Sequence, residues 1–263
     1  MRMPELQGTF DQTDFFIYAA CDQVYFAEFA PAFIGSIRAN TTHNIHLHLF
    51  NPTAEQISYC QRRGVGVTWE HAHQPLFAKS AERWQTVPTG EPALTQYNRT
   101  HTAMGKGGDA SIVERMQKTY YACARFVRLS EFGSSQSVLA IDIDAVVRRP
   151  VPTLDSGKDF FIHYISGRRA RYLAGGIWLN SRVQSANFLK EYAGQLRNYI
   201  EQDYLYWSLD QDVLDTVVPR FQYGQLPPEY IDWNMNANSY IWTAKGTRKE
   251  LDVFVNEQQK YAV

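Results

Sequence analysis

The chain has 263 residues, long enough for one sizeable hydrophobic core. Its 26 basic and 27 acidic side chains leave a formal charge of −1, which argues against a nucleic-acid binder that tracks phosphates with a basic surface. With 44% apolar and 20% charged residues, wholesale disorder is excluded as well.

No apolar run approaches the ~18 residues of a membrane span, and residues 1–14 lack the apolar centre of a secretory signal. Three widely separated cysteines, Cys21, Cys60 and Cys123, have neither metal-like spacing nor an even count. The expected setting is a reducing cytoplasm. Aromatic residues are plentiful (6 Trp, 16 Tyr and 15 Phe), a supply that serves cores and also flat ligands such as sugar rings and nucleobases.

Residues 1–13 read as a loose leader. Short runs rich in β-branched and aromatic residues predict strands at 15–21, 45–50, 65–69, 138–143, 160–165 and 176–179. Amphipathic stretches predict helices at 27–38, 54–63, 110–131, 181–202 and 210–217. The alternation in the first half points to an α/β fold, a single domain over 14–255 with a mixed, mainly parallel central sheet flanked by helices. Residues 74–109 interrupt the alternation with Pro75, Pro88, Pro92 and the run Gly105-Lys106-Gly107-Gly108. A stretch of that length without periodicity reads as a lid or binding loop, and its glycines lack the spacing of a Walker loop. Residues 256–263 read as a frayed tail.

The strongest chemical signal is Val138-Leu139-Ala140-Ile141-Asp142-Ile143-Asp144, an apolar strand running into two aspartates two residues apart. Burying a carboxylate without a partner is costly, so this pair calls for a cation or strong donors. At the carboxyl end of a strand in an open α/β sheet it also lies where such sheets bind ligands. Two oxygen ligands with open positions suit Mn²⁺ or Mg²⁺ shared with a substrate phosphate. The plainer alternative is a turn cap plus an ion pair to Arg148 or Arg149. Two chemistries use the pattern. A phosphatase of the haloacid-dehalogenase type has Asp142 as nucleophile and Asp144 as general acid, but that motif opens its domain. A nucleotide-sugar glycosyltransferase places nucleotide-binding strands before the pair, and chain order favours it.

Four further blocks accompany the pair between residues 16 and 249. They are Ile17-Tyr18-Ala19-Ala20-Cys21-Asp22-Gln23-Val24-Tyr25, Tyr121-Ala122-Cys123-Ala124-Arg125, Tyr172-Leu173-Ala174-Gly175-Gly176 and Leu209-Asp210-Gln211-Asp212. In this order the sequence resembles the GT-A-fold glycosyltransferases of family 8, the retaining galactosyl- and glucosyltransferases that include glycogenin.

The resemblance implies a GT-A (Rossmann-like) domain, a UDP-sugar donor, Mn²⁺ or Mg²⁺ as cofactor, and a hydroxyl acceptor on a glycan, glycolipid or protein. It implies nucleoside contacts for Ala20, Asp22 and Tyr25, and metal ligation by Asp142 and Asp144 with Ile143 at the nucleotide between them. Arg125 is implied to reach the donor sugar or diphosphate, and Gly175 and Gly176 to let backbone approach it. Asp210 and Gln211 are implied to line the reacting face, Gln211 beneath the anomeric carbon.

Read from the residues alone, Asp22 and Asp210 suit helix capping equally well. Arg125 and Arg128 share a helix face at i, i+3, and the register of the resemblance picks Arg125.

Two positions depart from the pattern. Ala174 stands where the family has an asparagine that touches donor-sugar hydroxyls. Thr243, in Thr243-Ala244-Lys245-Gly246-Thr247-Arg248-Lys249, stands where the family has a metal-binding histidine; Gly246 and Lys249 match. Loss of that nitrogen weakens a metal site, and Lys245, Arg248 and Lys249 are expected to offset leaving-group charge instead. A catalytically inactive nucleotide-sugar-binding module is the remaining alternative. His46 and His48 alternate with apolar residues and read as a polar sheet face or edge, and His163 is a candidate substitute for the absent histidine.

Overall fold

The computed structural model describes residues 2–10, 13–83, 111–132, 135–154, 157–166 and 171–262. Its first half runs β1 (Gln7–Thr9), β2 (Phe15–Asp22), α1 (Gln23–Asn40), β3 (Asn44–Phe50), α2 (Ala54–Arg62), β4 (Gly66–Glu70), α3 (Ala78–Arg83) and α4 (Ile112–Phe132). Then follow β5 (Ser137–Ile141), β6 (Val146–Val147), β7 (Phe160–Ile165), β8 (Arg171–Leu179), α5 (Val183–Glu201), α6 (Leu209–Val217), β9 (Tyr223–Gln225), β10 (Ile241–Trp242) and α7 (Asp252–Gln259). Most of the 74–109 stretch, with its glycine run, lies outside the described residues.

Eight strands form one sheet in the order β1-β4-β3-β2-β5-β8-β7-β9. Strands β4, β3, β2 and β5 are mutually parallel, whereas β8 runs antiparallel to both β5 and β7. Strand periodicity divides the apolar residues between two cores. Phe16 and Tyr18 of β2 and Val138 and Ala140 of β5 pack beneath α4 and α5 on one face. Ile17, Ala19 and Cys21 with Leu139 and Ile141 pack beneath α1 on the other. A parallel sheet covered on both faces needs such near-continuous apolar strands, because neither face meets water.

The elements depart from expectation where side chains intervene. Helix α1 starts at Gln23, not 27, because the Asp22 carboxylate accepts from Tyr25 N at 2.9 Å and caps it. Strand β5 ends at Ile141, before the aspartates, because Ala145 N donates to Asp142 O at 3.1 Å and closes a turn. That turn feeds β6, which pairs with β10 in a separate ribbon. Strand β8 begins at Arg171, ahead of the expected 176.

Order reaches into both terminal segments. Residues 7–9 pair with β4, and α7 extends to Gln259, held by the fully buried Phe254 and by an Arg148–Glu257 ion pair at 3.1 Å. His46 and His48 lie on neither an edge nor a solvated face. Both are buried in β3, between β4 and β2, with the Thr68 hydroxyl 3.0 Å from His46 Nε2 and 3.1 Å from His48 Nδ1. Among the described residues no helix is long and apolar enough to cross a membrane.

Candidate active site

The carboxyl ends of β2 and β5, the middle of α4 and the segment after β10 meet at a cleft of about 360 Å³. Ala20, Asp22 and Tyr25 line it from β2 and α1, Arg125 from α4, and Asp142, Ile143 and Asp144 from the turn after β5. Lys245 and Lys249 close the far side. A second depression of about 570 Å³ adjoins it through Asp22, Lys118 and Tyr121 and extends past Asn51 at the end of β3. A larger hollow, about 810 Å³, lies elsewhere, around residues 2–6 and Arg128; its charged side chains include the Arg128–Glu131 ion pair and Arg197, which also bonds Glu131.

Arg125 is the hub. Its Nη1 donates to Asp142 Oδ1 at 2.5 Å, its Nη2 donates to Ala174 O at 3.0 Å, and the same nitrogen lies 3.6 Å from Asp210 Oδ2. The Tyr18 hydroxyl donates to Arg125 O at 2.7 Å and fixes α4 against β2, so the guanidinium is delivered by a rigid helix. Burial works against its charge, but Asp142 and Asp210 outweigh it and hold the pKa above that of free arginine. Asp142 likewise resists burial through Arg125, Lys245 and Lys249, which keep its carboxyl below the usual range. Asp210 is raised by burial, with Arg125 and Lys245 opposing. Its backbone carbonyl accepts from the Tyr192 hydroxyl at 2.9 Å, which anchors the start of α6.

Asp144 belongs to a different set. Its Oδ1 accepts from Thr243 Oγ1 at 3.0 Å and its Oδ2 meets Lys249 Nζ at 2.6 Å. Burial, then the neighbouring Asp142 charge, raises its carboxyl against the pull of Lys249 and Thr243. Lys249 in turn has its pKa raised by Asp144 in spite of burial. Its ammonium lies 4.6 Å from the Tyr25 ring centroid and 4.9 Å from that of Phe29, two cation–π contacts that seat it.

The two aspartates therefore do not converge on one point, as they would at i, i+2 on a continuous strand. The turn after Ile141 sends one to α4 and the other to the segment after β10. The pair is not preset as a divalent-metal centre: both oxygens of Asp144 already have partners, Oδ1 of Asp142 carries Arg125, and no group of three His, Cys, Asp or Glu side chains is assembled among the described residues. His163 does not line the cleft; its ring packs on Trp233 at 5.3 Å.

Other expected residues stand behind or beside the opening. A Cβ at Gly175 would lie 2.8 Å from Asp142 Oδ2, so this glycine makes room for the carboxylate, and one at Gly176 would strike Ile231 Cγ1 at 2.5 Å. Arg248 is exposed and donates to Trp233 O at 3.2 Å, outside the cleft lining. Asp210 reaches the cleft only through Arg125, and Gln211 does not line it. Ala174, lacking an amide, contributes its backbone carbonyl to Arg125.

Sequence reading missed Lys118, Tyr121, Ala122 and Trp207 as lining residues. The first three sit at i−7, i−4 and i−3 from Arg125, one helical face, so the spacing was available once Arg125 was placed. Trp207, just before α6, belongs to an aromatic group that reads as core by default, yet it is 45% exposed and faces the cleft.

No protein-family model and no curated protein sequence matches the chain. Solved structures do share its architecture. The glycosyltransferase GlyE of Streptococcus pneumoniae TIGR4 superposes with a TM-score of 0.52 at 13% identity, over 92% of this chain and 60% of GlyE. The bifunctional glycosyltransferase WbbM in its apo form gives a TM-score of 0.52 at 13% identity, over 97% of this chain and 51% of WbbM. The chain thus spans little more than half the length of these neighbours. At such identity the likeness is one of fold alone, the GT-A fold of these glycosyltransferases.

Proposed function

We propose that the chain is a glycosyltransferase that moves a hexose, glucose or galactose, from a UDP-sugar to a hydroxyl of a glycan, glycolipid or protein, with retention at the anomeric carbon. The observation that supports it most is the cleft itself. Segments remote in sequence bring a carboxylate and a tyrosine at the end of β2 together with Arg125, Asp142 and Lys249 around one opening. A nucleoside fits the end with Asp22 and the half-exposed Tyr25, whose ring offers a stacking face. The diphosphate fits the end with Lys245 and Lys249, where fixed cations in a partly dry site meet charge as it develops.

In the transfer, the bond from the anomeric carbon to the diphosphate oxygen breaks and a bond to the acceptor oxygen forms on the same face. The acceptor proton passes to the departing phosphate oxygen. No histidine lines the cleft among the described residues, Asp142 and Asp144 are both paired with cations, and Asp22 caps α1 at the nucleoside end, so the leaving group is the base in this reading. Arg125 orients the donor and Asp210 holds Arg125 in place.

Calorimetric titration with UDP, followed by assay of UDP release from UDP-glucose and UDP-galactose, tests the reading. Micromolar to millimolar UDP binding with turnover of either donor is the expected result. Binding without turnover of any nucleotide sugar reduces the protein to a binding module, and no binding of UDP overturns the proposal.

A further inference from the structure

This inference rests on the nucleotide-sugar reading above and concerns the cation that the diphosphate meets. Three carboxylates line the cleft, Asp22, Asp142 and Asp144, against four cationic side chains, Lys118, Arg125, Lys245 and Lys249. A centre built to capture a divalent ion presents surplus negative charge and bare oxygens. This one already carries a positive surplus before any ligand arrives.

Geometry makes the same point more locally. Mn²⁺ and Mg²⁺ need near-octahedral oxygen ligands at about 2.0–2.1 Å. Both oxygens of Asp144 already have partners, Thr243 Oγ1 on Oδ1 at 3.0 Å and Lys249 Nζ on Oδ2 at 2.6 Å, so a metal there would compete with a hydroxyl and an ammonium. A metal on Asp144 would have to expel an ammonium that is also held over the rings of Tyr25 and Phe29. At Asp142, Oδ1 carries Arg125, and Oδ2 lies beside Gly175, 2.8 Å from where a Cβ on that residue would stand.

We propose that this centre works without a divalent ion and that Lys249, seated on Asp144, is the cation that meets the donor diphosphate. Asp144 is then a positioning residue: it holds the ammonium at the cleft and keeps it charged. Lys245, whose Nζ stands 4.5 Å from the Trp233 ring centroid, supplies the second charge beside it. One charge-assisted contact of this kind is worth roughly tenfold or more in affinity.

The test is UDP titration of the full chain in EDTA and again in MnCl₂, with Mn²⁺ binding in the absence of nucleotide followed by its electron paramagnetic resonance. The expected result is UDP affinity that changes by less than about twofold between the two conditions, with the free-ion Mn²⁺ signal undiminished by protein. Lys249→Ala is expected to weaken UDP in EDTA by roughly tenfold or more, and Lys249→Arg to restore most of it. UDP binding at least tenfold tighter with Mn²⁺, or protein that titrates the Mn²⁺ signal and loses that ability in Asp144→Ala, overturns the inference while leaving the glycosyltransferase reading intact. Absence of UDP binding in both conditions overturns that reading and this one with it. Should the variants fail to fold, the comparison of EDTA with Mn²⁺ on the unaltered chain still decides.

Discussion

Two arginines stand one turn apart on α4, and each lies between two carboxylates. Arg128 bonds Glu70 at 2.5 Å and Glu131 at 2.9 Å, with the Pro4 carbonyl as a further acceptor. Arg125 bonds Asp142 and faces Asp210, with the Ala174 carbonyl as its further acceptor. Residue type and pairing pattern are the same. What differs is the wall around them. Glu70 is fully buried and extends the network through the Tyr120 hydroxyl at 2.5 Å, so the Arg128–Glu70 pair is closed off, whereas Glu131 faces the hollow around residues 2–6. Asp142 keeps 30% of its side chain exposed at the open end of the sheet, where a ligand can compete for Arg125. A guanidinium between two acids is thus no sign of function by itself. Its position relative to the carboxyl ends of the parallel strands decides.

The comparison can be broken most forcefully at Arg128. Removing one partner of a buried ion pair strands the other, so Arg128→Met is expected to cost about 3–5 kcal/mol in urea unfolding. The folded fraction should bind UDP as the parent does. Lost UDP affinity with stability intact would make Arg128 part of the site after all.

Arg125→Met carries the opposite expectation. Turnover of the nucleotide sugar should fall by roughly 10²–10³-fold, the usual consequence of deleting a preorganised donor, with a smaller loss of stability than at Arg128 because Asp142 is partly solvated. Equal destabilisation of the two variants with unchanged kinetics would erase the distinction.

The gentlest probe is pH. Burial holds His46 at about 3, against an ordinary value of 6.5. Between those values the unfolded chain binds the proton and the native one does not, so this contribution to stability is present above pH 6.5 and is lost as pH falls towards 3. From pH 7 to pH 5.5 it amounts to about 1 kcal/mol. Glu70, raised by burial, pulls in the other sense over its own range, so the measurement is the difference between the parent and His46→Gln. The parent should lose more stability on acidification than the variant does. Parallel pH profiles for the two would mean that the burial of His46 does not set this acid sensitivity.

Much of the fold was legible because its signals are local. Short apolar runs rich in β-branched and aromatic residues dictated the inner strands, and Phe160–Ile165 came out at its expected bounds. The aspartates after β5 and the cationic segment near Lys249 were visible for a similar reason, since charges beside an apolar strand or grouped in a short run need no partner to be noticed. The short strands β1, β6, β9 and β10 were not visible, because two or three residues carry no periodicity and exist only through pairing.

The same limit governs the site. Sequence by itself determined the α/β architecture, the carboxylates at the end of β5 and the absence of a histidine at position 243. Only the tertiary structure decided that Asp142 and Asp144 part company, that Arg128 is sealed while Arg125 is open, and that Lys249 takes up Asp144. Those outcomes hang on contacts between residues far apart in the chain, Asp144 with Lys249 and Arg125 with Asp210. Coulomb attraction acts on distances through space, which spacing along the sequence does not encode.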